Sequence, residues 1–134
     1  MPSTVFTTML IRQSDGGMTR PVAVYLEHFE KLAATGLPIV LYLDRSLTTQ
    51  RFAANVTVVP TSIRDLDLWQ AVHHRSLQLP SVRNAIKDTA DYLTIINAKT
   101  ELLRRTIAMG LPATHHAFID FGLFHVVRDT PTAQ

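Results

Sequence analysis

Pro38-Ile39-Val40-Leu41-Tyr42-Leu43-Asp44 is the stretch that decides the fold class. From Ile39 to Leu43 every residue is apolar, with no alternation. A strand with one wet face alternates apolar and polar residues. One covered by helices on both faces does not, and such strands belong to parallel sheets. Upstream, Val5 to Ile11 is rich in β-branched residues and is bounded by Ser14-Asp15-Gly16-Gly17, which reads as a strand followed by a turn. Between the two, Thr19 offers a helix cap and Pro21 suits a first turn. Val22, Tyr25, Leu26, Phe29, Leu32 and Ala33 then recur at three- and four-residue steps, with Gly36 as the C′ residue. Downstream, Val56-Thr57-Val58-Val59 predicts a third strand, stopped by Pro60, and Ser62 to Leu79 is expected to be helical in part, ending at Pro80. Asn84 to Ala108 predicts one long amphipathic helix with Ile86, Ala90, Leu93, Ile96, Leu103 and Ile107 as its apolar stripe. Lys87–Asp91 and Glu101–Arg105 are then charge pairs on the wet side. Gly110 and Pro112 end it, and Ala117-Phe118-Ile119 makes a fourth short strand closed by Asp120. This alternation of elements predicts an α/β fold, a mostly parallel open sheet with flanking helices.

The 134 residues suit a single domain, expected over 1–129 with a short polar tail at 130–134. Against 11 Asp and Glu stand 13 Lys and Arg, a net charge of +2, which is too small an excess for a nucleic-acid-coating surface. Cysteine is absent, so disulfides, Cys-ligated zinc and a thiol nucleophile are excluded. No apolar run approaches the roughly 20 residues of a transmembrane segment, and no basic residue precedes the first apolar stretch as in a secretory signal, so the expected location is cytoplasmic. Asn55-Val56-Thr57 is then an incidental glycosylation triplet. Gly-x-Gly-x-x-Gly, Walker and Gly-x-Ser-x-Gly motifs are all missing, which argues against dinucleotide oxidoreductases, P-loop enzymes and α/β-hydrolases.

Ligands of open α/β sheets bind beyond the carboxyl ends of the strands. Two of the expected strands end there in an acid, Asp44 and Asp120. An acid behind an apolar run needs a partner, so each either caps a turn or helix or faces a ligand. A hard cation such as Mg²⁺ or Mn²⁺ takes one or two carboxylates plus phosphate oxygens, for which Asp120 is suited, with His125 as a further ligand. Lys99 has Ile95, Ile96, Leu102 and Leu103 as helical neighbours, so it either snorkels to water or aims its ammonium at a phosphate. Arg83, Asn84, Lys87 and Asp88 stand at the start of the long helix and are either an anion site or plain surface. The adjacent pairs His73-His74 and His115-His116 diverge in any regular element and do not form metal clamps.

The order of these motifs resembles the HtrL/YibB (WlaTC-like) family, glycosyltransferase-like proteins of bacterial surface-polysaccharide loci. The resemblance runs through Val5 to Ile11, Tyr25-Leu26-Glu27-His28-Phe29 with Leu32, Pro38 to Asp44, and Leu79-Pro80 to Arg83-Asn84. It continues through Lys87-Asp88-Thr89 with Asp91-Tyr92, Asn97-Ala98-Lys99 with Glu101, and Phe118-Ile119-Asp120-Phe121-Gly122 before His125-Val126. It implies a nucleotide-diphospho-sugar transferase fold of the GT-A type, a nucleotide-sugar donor, a saccharide acceptor and a Mn or Mg cofactor. Asp120 matches the metal and donor position, although Gly122 stands where a strict Asp-x-Asp would place its second acid. Lys99 falls in the helix that faces the donor, and Asp44 near the nucleotide. Members of the family are longer, so this chain corresponds to the N-terminal half, and catalysis requires the acceptor side to be supplied. The alternative is a non-catalytic α/β module acting by ligand binding or by protein association, homo-oligomers included, through an unpaired sheet edge. A flavodoxin-like signalling module would need an acidic cluster after the first strand, where Asp15 stands alone.

Overall fold

A computed structural model describes residues 3–15, 18, 21–76, 78 and 89–121. Expectations resting on Gly16-Gly17, Thr19, Leu79-Pro80, Arg83, Asn84, Ile86, Lys87, Asp88, Gly122, His125 and the 130–134 tail lie outside these residues. The strands are β1 (Thr4–Leu10), β2 (Ile39–Asp44), β3 (Val56–Thr61) and β4 (His115–Phe118). The helices are α1 (Val22–Ala33), α2 (Asp67–Val72), α3 (Ala90–Asn97) and α4 (Lys99–Ala108), with short 3₁₀ turns at Arg45–Leu47 and Ile63–Asp65. The strands form one sheet in the order β3-β2-β1-β4, with every neighbouring pair parallel.

Every residue of β2 is buried, which is why its sequence does not alternate. Its side chains divide between two cores. Ile39, Leu41 and Leu43 join Leu10, Phe29, Leu32 and Phe121 on the α1 side, where Phe29 stacks on Phe121 with ring centroids 4.4 Å apart. Val40 and Tyr42 point the other way, to Val5, Ile11, Ile63, Leu66, Ile95, Ala98 and Leu102 under α2, α3 and α4. The result is a three-layer α/β arrangement in which apolar burial on both faces is the main stabilising term.

Three local outcomes differ from the sequence expectation. First, β3 runs through Pro60 to Thr61, with Pro60 opposite Leu43. β3 is an edge strand, so a residue without an N–H is accommodated where no second neighbour requires one. Second, the described part of the long helix is two helices, broken at Ala98, whose φ of −85° and ψ of 0° leave the helical well. Third, its inner face is rotated. The buried residues are Thr94, Ile95, Ala98, Glu101, Leu102 and Thr106, whereas Ile107 of the expected stripe is 52% exposed. Threonine can line this core because its hydroxyl is satisfied within its own helix, Thr94 donating to the Ala90 carbonyl at 2.8 Å and Thr106 to that of Leu102 at 3.1 Å. The Glu101–Arg105 pair forms at 2.6 Å, but Glu101 is buried and not on the wet side. Its carboxylate accepts the amides of Asp67 at 2.9 Å and Leu68 at 3.2 Å, so it neutralises the open first turn of α2 from across the packing.

Candidate functional site

The chain winds β1, β2 and β3 outward in one direction, then returns through α2, α3 and α4 to lay β4 on the free side of β1. The order reverses at β1, so the carboxyl ends of β1 and β4 flank the place where an open α/β sheet forms its crevice.

On the β4 side stands Asp120, two residues past the strand. Lys99, the first residue of α4, donates from Nζ to Asp120 Oδ1 at 3.0 Å, and its ammonium lies 5.6 Å from the centre of the Phe118 ring. The lysine side chain is 41% exposed and the aspartate side chain 70%, so the pair is solvated and adds little stability. A pair that weakly held can be exchanged for a ligand at small cost.

On the β1 side the exit segment is tied to the start of α3. Thr89 caps α3 by accepting the Tyr92 amide at 3.1 Å, and donates its own hydroxyl to Gln13 Oε1 at 2.8 Å. Asp91 Oδ2 accepts the Ser14 amide at 2.7 Å and also the Ser14 hydroxyl. These bonds join the loop after β1 to the first turn of α3.

Asp44, at the end of β2, is only 8% exposed. Its Oδ2 accepts the Arg12 amide at 2.9 Å, while Oδ1 accepts the Ser46 amide at 3.0 Å and the Ser46 hydroxyl at 2.7 Å. It therefore caps the Arg45–Leu47 turn and anchors the exit of β1. Of the three residues singled out for the donor, the fold brings Lys99 and Asp120 into contact and sets Asp44 at the end of the strand beside β1. His125, the further metal candidate, lies outside the described residues.

One candidate residue is not singled out by the sequence reading. Arg12 follows Ile11 directly out of β1; it is half-buried, and its Nε is closed off from solvent with no acceptor among the described residues. The signal was a charged residue immediately behind an apolar strand, the same one that singled out Asp44 and Asp120. At Arg12 it was absorbed into the strand-to-turn boundary.

Further around the same rim, the Ser62 amide donates to Asp65 at 2.8 Å and holds that carboxyl below its ordinary value of 3.8; slight burial opposes this, and the Arg45 guanidinium at 3.1 Å adds to it. A shallow groove of about 400 Å³ between α2 and α3, lined by Leu68, Val72, Leu93, Thr94 and Asn97, shares no residue with the rim.

Among the described residues no group of three or more His, Asp or Glu side chains is disposed to hold a metal ion. Asp120 offers one carboxylate whose Oδ1 already carries an ammonium, which does not fit a cation residing on the protein alone. His73 is spent elsewhere, stacked on Trp69 with ring centroids 3.9 Å apart and with Nδ1 2.9 Å from the Trp69 carbonyl.

Fold and rim together define an α/β protein whose parallel sheet reverses order at β1, with a solvated lysine–aspartate pair beyond β4. No protein-family model, curated protein or solved structure matches the chain. Among the described residues no helix is long and apolar enough to cross a membrane.

Proposed function

We propose that the crevice between the carboxyl ends of β1 and β4 binds a nucleotide-sugar donor, and that the chain is a glycosyltransferase-like domain of the GT-A type, cytoplasmic and serving surface-polysaccharide synthesis. The observation that carries this reading is the meeting of Lys99 with Asp120 at the point where strand order reverses.

In glycosyl transfer an acceptor hydroxyl oxygen bonds to the anomeric carbon of the donor, and the bond from that carbon to the diphosphate oxygen breaks. The departing nucleoside diphosphate keeps the electron pair, and the proton of the acceptor hydroxyl passes to it or to water. Negative charge therefore grows on the diphosphate in the transition state, and a cation held at that place lowers the barrier. Lys99 is the group for this work: it opens α4, its ammonium lies near the Phe118 ring, and Asp120 holds that ammonium until a diphosphate replaces the carboxylate. Asp120 then faces the donor, and Asp44 keeps the neighbouring strand end in shape. A Mn or Mg ion belongs to this reading as one carried in by the diphosphate, and no step is assigned to it. The acceptor is a saccharide.

The test is calorimetric titration with UDP and other nucleoside diphosphates, with and without Mn²⁺. Saturable binding is expected, weakened at least tenfold by Lys99→Ala. If none of these nucleotides gives heat or raises the melting temperature, the reading fails.

A further inference from the structure

We propose that Arg12 is a phosphate-binding residue, its guanidinium placed at the carboxyl end of β1 to receive an oxyanion of a phosphorylated ligand. The inference deepens the reading above and rests on it for the nucleotide, but not for the phosphate.

Three observations meet at this residue. Its side chain is half-buried, and its Nε is shut from water without an acceptor among the described residues, although a charged donor removed from water ordinarily finds one. The described acids at the ends of β2 and β4 and in the first turn of α3 have other partners. Asp44 binds the Arg12 backbone amide together with both donors of Ser46, Asp91 binds Ser14, and Asp120 binds Lys99. Its backbone is fixed: the 2.9 Å bond from the Arg12 amide to Asp44 Oδ2 sets where the side chain leaves the sheet.

Among the described residues the Arg12 guanidinium makes no ion pair, so a phosphate would have no internal carboxylate to displace there. The planar guanidinium carries its N–H donors in a fork, spaced to grip two oxygens of one phosphate. The strand that carries it is the one at which sheet order reverses, where α/β folds take phosphorylated ligands. Arg12 and Lys99 then supply cations from the β1 and β4 sides of the same crevice, a pairing suited to a diphosphate.

The experiment titrates the full chain with inorganic pyrophosphate, UDP and, as a carboxylate control, succinate. Wild type is compared with Arg12→Gln, Arg12→Lys and Lys99→Ala, each checked for native circular dichroism. Pyrophosphate is expected to bind wild type saturably and succinate not at all. Arg12→Gln should weaken pyrophosphate at least tenfold. Arg12→Lys, which keeps charge and stem and guards against a folding defect in the glutamine variant, should weaken it severalfold, because an ammonium cannot make the paired contact. Pyrophosphate binding unchanged in both Arg12 variants, absent from wild type, or matched by succinate overturns the proposal. The two readings part cleanly. If UDP binds, fails in Lys99→Ala and is untouched by either Arg12 variant, the Arg12 proposal falls and the donor site stands. If pyrophosphate binds through Arg12 and UDP binds no more tightly than pyrophosphate, the phosphate site stands and the nucleotide-sugar reading falls.

Discussion

The carboxyl ends of β2 and β4 make a natural pair, since an aspartate stands at each, Asp44 as the last residue of β2 and Asp120 two residues beyond β4. Asp44 is buried, and its two oxygens accept three donors from Arg12 and Ser46. Asp120 is largely exposed and meets a single ammonium. One acid closes a strand end and the other leaves one open, and what separates them is how many local N–H and O–H groups converge on the carboxylate. The largest effect expected from breaking this contrast comes from Asp44→Ala. It leaves the Arg12 and Ser46 amides without their acceptor in a buried setting, a loss of about 2–4 kcal/mol. That corresponds to a fall in melting temperature of roughly 10 °C. Asp44→Asn, which keeps one carbonyl oxygen, should recover part of it. Urea unfolding followed by circular dichroism measures both, and a cost for Asp44→Ala no greater than that of a surface aspartate would erase the distinction.

The two faces of the sheet differ in a similar way. The α1 face is hydrocarbon, with Phe29 stacked on Phe121 and meeting Phe52 edge-on at 5.4 Å. The opposite face is threaded by hydroxyls: Thr7 donates to Thr106 Oγ1 at 2.9 Å, and the Tyr42 hydroxyl lies 3.1 Å from the same oxygen. Thr106→Val removes the shared hydroxyl and leaves two buried groups unpaired, so a loss of about 1–3 kcal/mol is expected. Thr8, the neighbour of Thr7 in β1, has a buried hydroxyl with no partner among the described residues. Thr8→Val should therefore be neutral or stabilising by up to ~1 kcal/mol, since it deletes an unsatisfied group at nearly constant shape. Equal losses from the two substitutions would show that the hydroxyl network contributes nothing specific.

The same contrast explains what could be read from the sequence. The unbroken apolar run of β2 is a direct imprint of burial on both faces, so the α/β class, the parallel sheet and the acids at the ends of β2 and β4 were legible. The inner face of α3 and α4 was not, because Thr94, Glu101 and Thr106 enter the core only once each has found hydrogen-bond partners. Some of those partners, such as the α2 amides that Glu101 accepts, come from distant parts of the chain. A residue scale that assigns polar side chains to water places that stripe on the wrong side. Lys99 and Asp120 were each noticed, but their contact depends on β4 returning to β1, which no local pattern states. Arg12 stands apart for the opposite reason: its interest lies in an Nε without an acceptor among the described residues, and a sequence does not display that.

A smaller effect is expected at Asp65, whose carboxyl is held below its ordinary value by the Ser62 amide and by Arg45. A carboxyl with a lowered folded-state pKa adds stability above its unfolded value of 3.8, and that stability drains away as pH falls through the folded value. Asp65→Asn should therefore melt slightly below wild type at neutral pH. The gap should close on acidification below 3.8, and a gap that persists there would point to lost hydrogen-bond geometry and not to charge.

The smallest stability change, and the most informative one, is expected at Asp120. Its pair with Lys99 is exposed on both sides and is worth no more than about 0.5 kcal/mol, so Asp120→Asn should leave the unfolding midpoint nearly where it was. Its effect on ligand should be read separately. With the carboxylate neutralised, Lys99 loses the competitor for its ammonium, and pyrophosphate should bind at least as tightly as to wild type when no divalent ion is present. With Mn²⁺ added, the same variant should lose whatever gain the ion gives wild type, because the one described carboxylate in contact with Lys99 is gone. A large fall in stability on Asp120→Asn would make Asp120 a second Asp44, a cap that closes its strand end, and the contrast between the two ends would have to be given up.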